Sequence, residues 1–146
     1  MQPDFLQIDL IFQGKSKAIL TYLQSCGNGK YILIDCGPDS TFSELRHGLT
    51  QANIGLDQIE AVLLTHIHFD HAGASWRFAE KGIPIYVHPL GRKHLINPER
   101  LYNSAKQIYG DNMETLWGQM LPISENLVIE VNDEESRLFG EIEVQA

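Results

Sequence analysis

Three of the chain's six histidines, His66, His68 and His71, fall within six residues, with Asp70 before the last, in the pattern His-x-His-x-Asp-His. Neutral imidazole nitrogens and carboxylate oxygens bind zinc at about 2.0 to 2.2 Å. Two such ions about 3.5 to 4 Å apart can share one hydroxide. On an extended strand, side chains two apart point to the same side, so His66 and His68 are expected to face one ion. Asp70 and His71 then reach a point nearby as the chain turns into a helix. Without a cation, four such side chains crowded at a strand exit would leave desolvated polar atoms without partners. The cluster is therefore read as a metal site, whereas the isolated His47 and His94 are read as surface or core residues.

The apolar run Ala61-Val62-Leu63-Leu64 leads into this cluster. A strand over 61–65 has no polar alternation, so both of its faces should be covered, as in a layered α/β arrangement. Upstream, 7–12, 17–25 and 30–34 read as three antiparallel strands, the last two joined by a hairpin at Cys26-Gly27-Asn28-Gly29. Asp35 stands where the third strand ends at Gly37-Pro38, either as a turn former or, the favoured reading, as the acceptor that orients a ligating histidine. Thr41 and Glu44 predict a capping box for a helix bearing Phe42, Leu45, Leu49 and Ala52 and ending at Gly55.

Beyond the cluster, 73–81 predicts a short helix closed by Gly82, and 83–87 a strand ending at His88-Pro89. If that strand runs parallel to 61–65, His88 emerges at the edge where ligands gather in open α/β sheets, as a structural or a substrate-binding residue. Asn97-Pro98 starts a helix with an apolar face of Leu101, Tyr102, Ala105, Ile108 and Tyr109. A second begins near Asp111 and Glu114, with Leu116, Trp117, Met120 and Leu121 at helical spacing. These stripes are core by default, and their aromatic content leaves a substrate wall open. Residues 127–131 and 141–145 read as strands joined by the acidic turn Asn132-Asp133-Glu134-Glu135.

With 146 residues, 43% of them hydrophobic, the chain fits one domain with a real core. Acidic residues outnumber basic ones 19 to 11, and the formal charge of −8 argues against a nucleic-acid partner, which would call for a basic face; a small-molecule substrate is the partner expected instead. Met1-Gln2-Pro3-Asp4-Phe5 does not open a signal peptide, and no run approaches the roughly 18 apolar residues of a membrane span. A soluble, cytoplasmic protein is expected. Cys26 and Cys36 make no disulfide framework, so two reduced thiols are expected.

These residues resemble the metallo-β-lactamase superfamily of metallo-hydrolases. The likeness lies in His66, His68, Asp70 and His71 preceded by Thr65 and followed by Ala72-Gly73, and in Ile34-Asp35-Cys36-Gly37, which is similar to the family's Asp-x-Gly segment. It continues through Tyr86-Val87-His88 to Tyr109-Gly110-Asp111. The resemblance implies an α/β fold of the αββα kind, of which this chain is the N-terminal half, a mixed sheet with helices packed on it. It implies a binuclear zinc hydrolase in which a bridging hydroxide attacks an ester, thioester, lactone or similar bond. His66 and His68 would hold the first metal, Asp70 and His71 the second, with Asp70 also moving a proton and Asp35 and Thr65 setting the loop's geometry. Relatives with one iron that oxidise sulfur compounds supply a second reading. A third follows from a departure: the family's later histidines and bridging aspartate do not occur before Ala146. On that reading the chain is truncated, inactive or partner-dependent, binds zinc weakly, turns nothing over, and pairs with another chain or a second copy through the sheet edge after Val144.

Overall fold

The computed structural model describes residues 2–146. Phe5–Asp9 (β1), Leu20–Gly27 (β2) and Lys30–Ile34 (β3) form an antiparallel meander. β2 turns into β3 through Asn28 and Gly29, at φ of 54° and 69°, the left-handed pair that matches strand twist in a two-residue hairpin. Ile59–Leu63 (β4), Ile85–Val87 (β5) and Val128–Glu130 (β6) extend the sheet in parallel, giving the order β1-β2-β3-β4-β5-β6.

Among the described residues six α-helices connect and cover these strands: Phe42–Gln51 (α1), Phe69–Ala72 (α2), Ser75–Ala79 (α3), Pro89–Ile96 (α4), Glu99–Tyr109 (α5) and Met113–Trp117 (α6). Leu33 and Val62 of the sheet pack with Leu45 and Leu49 of α1, Phe78 of α3 and Leu95 of α4 in one continuous core. Their strand neighbours Ile32 and Ala61 point to the opposite face and pack with Cys26 and Phe139. That face is covered by a hairpin of Ser136–Phe139 (β7) and Ile142–Gln145 (β8). The central strands are apolar on both sides because both sides are covered. The result is the mixed α/β sheet that the sequence predicts.

Several local expectations change. Thr41 does not cap α1 with its side chain; its hydroxyl donates to the Pro38 carbonyl at 3.2 Å within a preceding turn, so no capping box forms. Gly55 is extended, and Asn53 at φ 57° takes the left-handed exit from α1 instead. β1 ends at Asp9, short of the predicted Phe12, because the chain enters the left-handed region at Ile11 (φ 46°). Ile108 lies on the solvent side of α5, 78% exposed. α6 stops at Trp117 because Gly118 turns the chain at φ 74°, so Met120 and Leu121 are not helical. His88-Pro89, which reads from the sequence as a strand end, also starts α4, with proline at the first helical position and His88 Nδ1 accepting from Leu90 N at 3.2 Å.

At the C-terminal side, the acidic turn joins β6 to β7 rather than to the last strand. Gly140 allows the hairpin: at φ 53°, a Cβ there would run into the Cys26 carbonyl, and the next amide, of Glu141, donates to that carbonyl at 2.8 Å.

Both cysteines are free and fully buried. Burial, then hydrogen bonding to Glu60, pushes the Cys26 thiol up to about 11, and burial pushes Cys36 up further, helped by the charge of Asp35. Thiolate is the reactive form, so a thiol-specific disulfide reagent at neutral pH should label neither cysteine in the native chain and both in denaturant. Rapid native labelling of either one would show that the sheet packing around it is wrong.

Candidate metal centre

β4 ends at Leu63, and Leu64 is tied to β5 by donation of its amide to the Tyr86 carbonyl at 2.9 Å. Thr65, His66, Ile67 and His68 follow as an irregular segment, and α2 starts at Phe69. His66 and His68 therefore lie beyond the strand rather than on it. His68 occupies the residue before α2 (φ −61°, ψ 151°), and its carbonyl accepts from the amides of His71 and Ala72 at 2.9 and 2.8 Å. The cluster is thus built on a loop-to-helix turn at the carboxyl end of parallel strands.

Asp35 organises this turn from the neighbouring strand. Its carboxylate accepts from Thr65 N at 2.8 Å through Oδ1, and from Thr65 Oγ at 2.8 Å and His71 Nδ1 at 2.7 Å through Oδ2. With its hydrogen directed to Asp35, the Thr65 hydroxyl oxygen is left as acceptor for His66 Nδ1, 3.1 Å away. These contacts select, for each neutral imidazole, the tautomer with its proton on Nδ1 and with Nε2 open to a cation. Asp35 itself is held at φ 56°, a conformation aspartate tolerates better than most residues, and its carbonyl accepts from the buried Thr21 hydroxyl. The following amides of Cys36 and Gly37 both donate to the His71 carbonyl, at 2.8 and 3.2 Å.

His66, Asp70 and His71 come together: one ring nitrogen of each histidine and one Asp70 carboxylate oxygen all lie within 4.8 Å of one another. Within this set His71 Nε2 is 3.1 Å from Asp70 Oδ2, and the His66 and His71 ring centroids are 4.0 Å apart. His68 stands beside the set, its ring edge-on to His66 with centroids 4.8 Å apart, but outside the group of mutually close donors. Partial burial, then the charges of His71 and His68, lower the pKa of His66 below its usual 6.5. Its ring is therefore neutral at neutral pH. Two imidazoles and a carboxylate suit a divalent cation of the zinc class.

His88 lies at the end of β5, at the same sheet edge, and is engaged in capping α4 through Nδ1. Its Nε2 is 3.5 Å from Asp133 Oδ1. With Leu64, Thr65 and Tyr86 it lines a cleft of about 430 Å³ between the strand ends and the β7–β8 hairpin. His47 is exposed on α1 and His94 half-buried on α4, and neither belongs to the donor set. Nothing in the sequence marks Thr21, whose hydroxyl reaches Asp35 from a different strand, or the Cys36 and Gly37 amides that grip His71, because main-chain donors leave no trace in residue identity. Among the described residues no helix is long and apolar enough to cross a membrane.

Known proteins bear on this arrangement in three ways. Residues 97 in number are 30% identical to a probable metallo-hydrolase of Methanocaldococcus jannaschii, covering 66% of this chain and 45% of that protein. A 45-residue stretch is 51% identical to part of an octanoyltransferase of Porphyromonas gingivalis, but spans only 8% of it. The crystal structure of a subclass B3 metallo-beta-lactamase from a soil metagenome library has the same fold, with a TM-score of 0.72 at 20% identity over 99% of this chain and 49% of that one. The chain thus spans about half the length of the metallo-hydrolase and of the lactamase. The model of the metallo-beta-lactamase superfamily matches residues 18–145. By that match, which takes in both Asp35 and the histidine cluster, the chain belongs to the metallo-beta-lactamase superfamily.

Proposed function

We propose that this chain supplies the metal-holding residues of a metal-dependent hydrolase acting on an ester, thioester, lactone or similar bond of a small molecule. The observation that carries the reading is the convergence of His66, Asp70 and His71 within 4.8 Å at the carboxyl edge of the parallel strands. Three protein ligands with one position left open is the arrangement of catalytic rather than structural zinc. The reading includes a second cation beside the first, for which His68 is the neighbouring donor.

A cation held there supplies Lewis acidity toward the scissile group and toward water. The chain's own residues do the rest. His66 and His71 offer Nε2 because Thr65 and Asp35 occupy their Nδ1 atoms. Asp70 presents Oδ2 both as a ligand and as the atom that accepts or returns a proton. The cleft beside Thr65 and His88 gives the substrate an apolar floor at the same edge.

The metal-free chain titrated with zinc should take up at least one ion per molecule. Replacing Asp70 or His71 by alanine should abolish tight uptake, and His47→Ala should leave it unchanged. Tight uptake that survives both Asp70→Ala and His71→Ala would overturn the assignment. Asp35→Ala should weaken zinc binding by about 10- to 100-fold, the usual effect of removing a group that orients a ligand, as read by competition with a chromophoric chelator.

Zinc uptake should also fall on acidification, because a protonated ring cannot ligate. In the metal-free chain the His66 ring should titrate below 6.5 by NMR. The sign for stability follows: with the folded pKa below the unfolded one, the unfolded chain binds the proton more readily, so this contribution is lost as pH falls below the unfolded value. A His66 midpoint at or above 6.5 would contradict the environment described.

The zinc-loaded chain assayed on 4-nitrophenyl acetate, an acyl thioester and a lactone tests the reaction. Zinc-dependent hydrolysis that is lost in Asp70→Ala supports it. Hydrolysis that persists in that variant contradicts the role of Asp70, and zinc uptake with no hydrolysis of any of the three contradicts the proposed reaction for this chain.

A further inference from the structure

A second constellation borders the metal loop. Three aromatic rings from three separate segments meet around Trp117 of α6: Phe12 from the β1–β2 loop stacks on it (centroids 5.1 Å apart, planes at 23°), Tyr109 of α5 meets it edge-on at 5.6 Å, and Phe69 lies tilted at 6.3 Å. Phe69 is the residue between His68 and Asp70.

Two features separate this cluster from ordinary core. The first is an orphaned donor. Trp117 Nε1 is the only buried side-chain nitrogen or oxygen without a hydrogen-bond partner among the described residues. Indole N–H groups usually find a partner when buried, and the chain's other indole does so, Trp76 Nε1 donating to the Gln119 carbonyl at 3.1 Å. Trp117 cannot easily shift to find one. Ser40 Oγ donates to the Leu116 carbonyl at 2.6 Å and the Asp39 carboxylate accepts from Gln119 N at 2.9 Å, so the chain is pinned on both sides of it.

The second is strain in the segment that delivers Phe12. Ile11, Gln13 and Lys17 all have left-handed φ values of 46°, 53° and 60°, costly for residues other than glycine and most unusual for a β-branched one. A single carboxylate clasps the two ends of this segment: Asp9 accepts from Ile11 N at 3.1 Å, Ser16 Oγ at 2.8 Å and Lys17 N at 2.7 Å. The strained loop lays a phenyl ring, which offers no conventional acceptor atom, over an indole whose donor lacks one. Phe12 is therefore a poor complement to the seat it fills.

We propose that this seat recognises the non-reacting part of the substrate, a flat aryl acyl group whose ring takes the place of Phe12 on the indole face while its carbonyl oxygen reaches over the indole edge to accept from Trp117 Nε1. Trp117 is then a specificity-determining residue, and the Asp9-clasped loop is the element that yields. That the ligand is the substrate rests on the hydrolase reading; its binding does not require metal.

The test uses the metal-free ¹⁵N-labelled chain, titrated separately with phenylacetamide and with acetamide, which shares the carbonyl but lacks the ring. The two indole N–H resonances are assigned with Trp76→Phe and Trp117→Phe. Phenylacetamide should shift the Trp117 resonance saturably and leave that of Trp76 in place, and acetamide should move neither. Phe12→Ala should tighten binding by about three- to tenfold, because a competing ring stack is removed. No saturable shift at Trp117, parallel shifts of both indoles, or weaker binding in Phe12→Ala would each overturn the proposal. Retained zinc uptake without amide binding would remove this inference alone, whereas amide binding without zinc uptake would remove the metal reading and leave the seat.

Discussion

The buried carboxylate of Asp35 is the constraint on which the remainder of the structure depends. A desolvated charge is tolerated only with partners, and here three donors, Thr65 N, Thr65 Oγ and His71 Nδ1, converge on its two oxygens. Those donors come from the loop after β4 and from α2, while Asp35 directly follows β3. One side chain therefore fixes the spacing between two adjacent parallel strand ends and the start of a helix. The Cys36 and Gly37 amides, both on the His71 carbonyl, hold the same helix from the main chain. Left unpaired, such a carboxylate would cost more than its hydrogen bonds contribute, so the fold and the donor geometry stand or fall together.

The sheet explains why the donors face one way. β3 to β6 run parallel, which puts their carboxyl ends and the loops that leave them at one edge. His66 after β4, Asp70 and His71 on the helix that follows, and His88 after β5 all stand at this edge, and the cleft beside Thr65 opens there. The helices bury one face of the sheet and the β7–β8 hairpin the other. The ligands thus need no long connection to reach one another: sequence neighbours across a single turn supply the donors, and the adjacent strand supplies the group that orients them.

What could be read from the sequence was what depends on near neighbours. The Asn28-Gly29 hairpin, the uniformly apolar β4, and the grouping of histidines with Asp70 follow from turn chemistry, burial and spacing over a few residues. Asp35 could be named as an orienting group because metal-bound imidazoles need such a partner, although not that it would engage Thr65 at two atoms. The position of His68 was not legible, since it depends on where β4 stops and α2 starts. The β7 strand was missed because Ser136-Arg137-Leu138-Phe139 turns an exposed leucine to solvent and buries only its phenylalanine. The meeting of Phe12 with Trp117 joins residues more than a hundred apart, and no local pattern announces it.

The central claim is that two imidazoles and a carboxylate, oriented from Asp35, form one coordination sphere. X-ray absorption at the zinc edge of the chain loaded with a single equivalent of metal tests this most directly. The account predicts only nitrogen and oxygen neighbours at about 2.0 to 2.2 Å, with the outer-shell scattering of two imidazole rings. A sulfur neighbour at about 2.3 Å, or a shell of oxygens without imidazole scattering, would contradict it.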